Sequence, residues 1–82
     1  MQKKKKIDVK TAAIIARKYL EELTGIQNAT VEETVSSEGF WIITLGYVEP
    51  NKLFPDKNYK VFKVDGSSGE VVSMEIKDIS KE

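Results

Sequence analysis

The stretch Tyr59-Lys-Val-Phe-Lys-Val-Asp65-Gly-Ser-Ser-Gly69-Glu-Val-Val-Ser-Met-Glu-Ile-Lys77 constrains the fold more than any other part of this chain. Two segments rich in Val, Ile, Phe and Tyr flank one polar turn, the signature of a β-hairpin. Asp65 can bond the backbone amides that follow it, and Gly66 and Gly69 tolerate the positive φ that a four- or five-residue loop demands. The register stays open. If Asp65 pairs with Glu70, then Tyr59, Val61, Val72, Met74 and Ile76 share a face. A slip of one residue groups Phe62 and Val64 with Val72, Met74 and Ile76 instead.

Upstream, the period changes from two to about 3.6. Ala12, Ile15, Ala16, Tyr19, Leu20 and Leu23 recur at three- and four-residue spacing, so one face of this segment is apolar. Asp8 is placed to cap the first turn and Gly25 to end the last, which predicts an amphipathic helix of four or five turns from Asp8 to Thr24. Its stripe is expected to be buried in the domain's own core. Beyond it, Val31 and Val35 alternate with Glu32 and Thr34, as in a half-exposed strand near an edge, and Ser36 to Gly39 reads as a turn. In Phe40 to Val48 both phases are apolar, with Trp41, Ile43, Leu45 and Tyr47 on one side and Phe40, Ile42 and Val48 on the other. Such a strand belongs in the middle of a sheet. Pro50 and Pro55 remove ladder donors, so Pro50 to Lys57 reads as a loop.

These elements add up to an α+β domain, an N-terminal amphipathic helix on a four-stranded antiparallel sheet in the order α-β-β-β-β. The chain of 82 residues is one domain, with residues 1–7 a flexible basic tail and 8–79 the folded part. One helix shields one sheet face, yet the central strand offers large apolar residues to both. Either the loop Lys52-Leu-Phe-Pro55 folds over the second face, or that face contacts a partner or a second copy. Trp41, Tyr47, Val61 and Phe62 are the candidate contact residues. Whichever of Val61 and Phe62 points away from the helix is the stronger one.

Chemistry is excluded by what is missing. The sequence has no histidine and no cysteine, which removes the usual general base, the thiolate nucleophile, His- or Cys-based metal sites and disulfides. Glu32 and Glu33 diverge on a strand, as Glu21 and Glu22 do on the helix, so neither pair forms glycosidase carboxylates. Asp56, Asp65 and Glu70 lack the spacing of a calcium loop, and no helix follows Gly66 and Gly69 to make a phosphate cradle. The expectation is a non-enzymatic chain with no cofactor and no metal. Lys60, Phe62 and Lys63 beside Trp41 and Tyr47 could stack nucleic-acid bases, but 13 basic residues balance 13 acidic ones and dilute any positive field. Nucleic acid is therefore a minor reading. The run Ala12 to Ala16 is too short for a signal peptide core, and no run reaches the length of a membrane span, so a cytoplasmic protein is expected.

Two resemblances add to this. The helix, the Trp-bearing strand, and then Tyr59 to Asp65 with Gly69-Glu-Val-Val resemble the PepSY type of small domain. That resemblance implies a cystatin-like arrangement and a module that binds or restrains a protein partner. Lys18-Tyr-Leu-Glu-Glu-Leu-Thr-Gly25, Gly39-Phe-Trp41, Val48-Glu49, Pro55 and Tyr59 to Gly69 are similar in order and spacing to gas vesicle protein O, which implies a cytoplasmic accessory role in assembly. The last strand, Ser73 to Ile79, departs from the arginine- and tyrosine-rich ending of that family.

Overall fold

The helix starts where the sequence offers a cap. Asp8 sits in extended backbone, and its Oδ1 accepts a hydrogen bond from the Thr11 amide at 2.8 Å. That satisfies one of the amides the first turn leaves unpaired and holds the carboxyl below its ordinary pKa. Helix α1 runs Val9–Thr24 and ends at Gly25, whose φ of +82° is left-handed and whose N–H reaches the Glu21 carbonyl. The structure, a computed structural model, describes residues 6–48 and 57–77. The proline loop, with the proposed cover Lys52 to Pro55, and residues from Asp78 onward lie outside the described residues.

Four antiparallel strands follow in spatial order: β1 Thr30–Ser37, β2 Phe40–Val48, β3 Lys57–Asp65 and β4 Val71–Lys77. This is the α+β arrangement α-β-β-β-β that the sequence predicts. Between β1 and β2 only Glu38 and Gly39 intervene, both at positive φ, the backbone that matches a tight hairpin to the twist of its strands. β2 is central. Its Trp41, Ile43, Leu45 and Tyr47 share the helix side with Phe62 and Val64 of β3, because Ile43 stands opposite Phe62 and Trp41 opposite Val64. Ala12, Ala16 and Leu20 of α1 close over Ile43, Leu45, Phe62 and Val64, all fully buried. The two alanines let the helix approach the sheet closely.

The closing hairpin takes a register with a bulge in it. Asp65 does pair with Glu70, through an N–H to carbonyl bond of 2.8 Å, while its Oδ1 accepts from the Ser67 and Ser68 amides. Farther along, however, Phe62 pairs with Met74 and Lys60 with Ile76, because β4 accommodates an extra residue between Val71 and Ser73. Phe62, Val64, Met74 and Ile76 therefore lie on the helix side. Val61 faces away.

Gly66 at the hairpin tip ties three segments together. Its carbonyl accepts the Lys6 and Ile7 amides at 2.8 and 2.9 Å, and its N–H donates to the Gly39 carbonyl. Trp41 Nε1 donates to the Ile7 carbonyl at 2.8 Å. Lys6 and Ile7, placed in the basic tail by sequence, are thus bonded into the fold, while residues 1–5 lie outside the described residues. Gly69 completes this end: its φ is +80°, and a Cβ there would come within 2.8 Å of Ile7 Cδ1 and 3.1 Å of Ile15 Cδ1.

The burial difference between neighbours in β3 is directly measurable. Phe62→Ala is expected to cost about 3–5 kcal/mol through lost burial and a cavity under α1. Val61→Ala, on the half-buried outer face, is expected to cost less than about 2 kcal/mol. Urea denaturation of the two variants checks the order.

Candidate functional site

The sheet face away from α1 carries its own cover. Phe40, Ile42, Tyr59 and Val61 are half-buried there around a buried Thr44. Lys63 Nζ stands 4.5 Å from the Phe40 ring centroid and Lys57 Nζ 5.9 Å from that of Tyr59, so two ammonium groups lie over the aromatic rings. At the far end Gly46 leaves room for an ion pair. Glu32, the bulged residue of β1, meets Lys57 of β3 at 2.6 Å directly above Gly46, and the Thr30 hydroxyl donates to the same carboxylate oxygen at 2.6 Å. A Cβ on residue 46 would fall 2.5 Å from that oxygen. One missing side chain lets an edge strand bond to its second neighbour.

The four contact residues read from sequence do not form one surface. Phe62 is fully buried, Tyr47 is 5% exposed and Trp41 is half-buried against Ile7, all three on the helix side. Only Val61 lies on the outer face. The rings proposed for base stacking, Trp41, Tyr47 and Phe62, are therefore occupied by the core.

Exposed apolar area collects instead along the line where α1 runs beside β4. The Tyr19 ring meets Phe62 edge-on at 6.1 Å, and Phe62 is the strand partner of Met74. Ile15 lies by Gly69 and Val71 and Tyr19 by Phe62, so the stripe Ile15, Tyr19, Leu23 is on the flank of α1 that faces the β4 side of the sheet. Leu23 is 56% exposed and Ile76 77%, with Tyr19 and Met74 at 37% each. Toward the hairpin end, Ile15, Lys18, Tyr19, Glu22, Gly69 and Val71 line an open groove of about 350 Å³. A smaller hollow of about 240 Å³ lies on the other flank of α1, between Ile14 and Ile26. The helical period places Tyr19 and Leu23 on the apolar stripe, but it does not say that the stripe overhangs β4. Alternation in β4 groups Met74 with Ile76, but only the bulge decides that they take the helix side.

No group of three or more acidic, His or Cys side chains is arranged to hold a metal among the described residues. No helix among them is long and apolar enough to cross a membrane.

No family model, no curated protein and no solved structure matches the chain. Function has to be argued from its own surface.

The ion pair over Gly46 gives a pH signature. The bonds from Lys57 and Thr30 hold the Glu32 carboxyl below its ordinary value of 4.5, and Glu32 raises Lys57 above 10.5. A lowered acid contributes stability that is present above its unfolded pKa and lost as pH falls through the folded one; a raised lysine contributes stability lost as pH rises through its folded value. The pair therefore stabilises between these limits. In chemical denaturation across acid pH, the chain is expected to lose stability below about pH 4.5 by more than Glu32→Gln does. Gly46→Ala is expected to abolish the difference, since it evicts the carboxylate.

Proposed function

We propose that this chain is a non-enzymatic interaction module that holds a protein partner along the strip formed by Tyr19, Leu23, Met74 and Ile76. The observation that carries this reading is the exposure of four large apolar side chains, Tyr19, Leu23, Met74 and Ile76, on the helix side of the sheet. The outer face exposes Val35 and Val48 as well, but its aromatic rings already carry the Lys57 and Lys63 ammonium groups, which favours the helix side for the contact. A helix on an antiparallel sheet agrees with the cystatin-like arrangement implied by the PepSY resemblance, and it supports a module that restrains its partner by surface contact. The similarity to gas vesicle protein O points to the same class of role, an accessory in assembly, with a cytoplasmic setting.

Site-specific photo-crosslinking in the native host tests the reading. A photoreactive residue at position 23 or 76 is expected to capture protein in discrete adducts, while one at Glu38, exposed in the β1–β2 turn, captures little. Equal capture from all three positions, or none from 23 and 76, would remove the strip as a contact site.

A further inference from the structure

We propose that the solvent face of the first three turns of α1, with the lysines that lead into it, docks the chain on an anionic lipid bilayer. This face is the crest of the helix, distinct from the strip of Tyr19, Leu23, Met74 and Ile76, and it serves a different ligand.

Charge is divided unevenly along this neutral chain. Residues 1–18 hold seven Lys and Arg against one acid, Asp8, whose carboxylate is occupied by the Thr11 amide. The remaining residues hold six Lys and Arg against twelve Asp and Glu. An anionic surface therefore attracts the first part and repels the second, which turns the molecule helix-first.

The fold gathers the cations of the first part on one side. Lys10, Ile14 and Lys18 recur at four-residue spacing and Arg17 adjoins Lys18, all exposed and opposite the buried Ala12, Ala16 and Leu20. Lys18 lines the hollows on both flanks of α1, which sets it on the crest. The Gly66 carbonyl holds Lys6 just ahead of the first turn, and Lys3 to Lys5 directly precede it in sequence. Lys10 and Lys18 stand about 12 Å apart along the helix axis, close to the ~10 Å screening length at about 0.1 M salt, so their attractions to one charged surface add. Among the described residues none of Lys10, Arg17 and Lys18 is paired with a carboxylate, unlike Lys57. The basic region ends at Glu21, which accepts from Gln27 Nε2.

An exposed isoleucine selects the occupant. Ile14 is 57% exposed among Lys10, Arg17 and Lys18. Cations around an apolar side chain suit a helix lying in a headgroup layer, with the charges at phosphate level and the apolar group below them. No aromatic ring stands among these residues, so single-stranded nucleic acid finds nothing on which to stack its bases. With Lys3 to Lys5 the basic residues fall within the roughly four to eight that bring such a segment to acidic lipid.

Co-sedimentation of the full chain with vesicles tests this, using phosphatidylcholine alone and phosphatidylcholine with about 30% phosphatidylserine. Binding is expected only to the second, and it is expected to fall steeply between about 0.05 and about 0.5 M salt. Lys10→Gln, Arg17→Gln and Lys18→Gln should each lower the partition coefficient roughly fivefold, the effect of one cation at such a surface. Ile14→Ser should lower it by a similar factor through lost apolar burial. Lys63→Gln, on the other sheet face, should leave it unchanged. All four α1 sites are exposed, so the variants keep the fold, and the charge-keeping Lys10→Arg should bind as the parent does. Equal binding to both kinds of vesicle, or binding to the acidic vesicles that the α1 substitutions leave unchanged, overturns the proposal. Tighter binding to an oligonucleotide or to polyglutamate at the same salt, with no effect of Ile14→Ser, overturns it as well and assigns the face to that polyanion.

Discussion

A helix about 10 Å across cannot cover four strands spaced about 4.8 Å apart, and most features of this molecule follow from that mismatch. α1 covers the middle of the sheet, where Ile43, Leu45, Phe62 and Val64 reach zero exposure beneath Ala12, Ala16 and Leu20. Outside that footprint each edge finds its own solution. β1 spends its bulge and an ion pair on holding itself to the sheet, whereas β4 leaves Met74 and Ile76 in solvent. The two edges are therefore unlike, one tied to its second neighbour and the other open to solvent.

The outer face follows another rule. It is apolar enough to read as a second core surface, yet the ammonium groups of Lys57 and Lys63 lie over its rings, and that of Lys57 is also paired with Glu32. The buried Thr44 and the Glu32–Lys57 pair above Gly46 add polar partners to a face that also carries half-buried Phe40, Ile42, Tyr59 and Val61 and exposed Val35 and Val48.

Most of the architecture is legible in the sequence because each element carries a local signal. Asp8 and Gly25 bracket the helix, the doubly apolar run from Phe40 to Val48 marks the central strand, and Asp65 with Gly69 marks the turn. The candidate site is less legible, for two physical reasons. The bulge at Val72 breaks the period-two argument, so Phe62 and Val61 exchange the faces that pairing of Asp65 with Glu70 would assign by simple counting. The position of α1 across the sheet is a tertiary fact as well: nothing local to Leu23 distinguishes a residue over β3 from one overhanging β4. Phe62 was visible as apolar and Ile76 as apolar, but only packing makes the first a core residue and the second a surface one.

The carbonyl of Gly66 has a geometric consequence. By holding Lys6 and Ile7 at the hairpin tip, it fixes the point where the chain enters the fold beside the start of β4. Ile76 lies at the other end of that strand, roughly 14 Å away, since the bulge leaves only the span from Val64 to Lys60 on the neighbouring strand. One peptide group therefore sets Ile7 at the hairpin end of the sheet, opposite to the end where Ile76 is exposed.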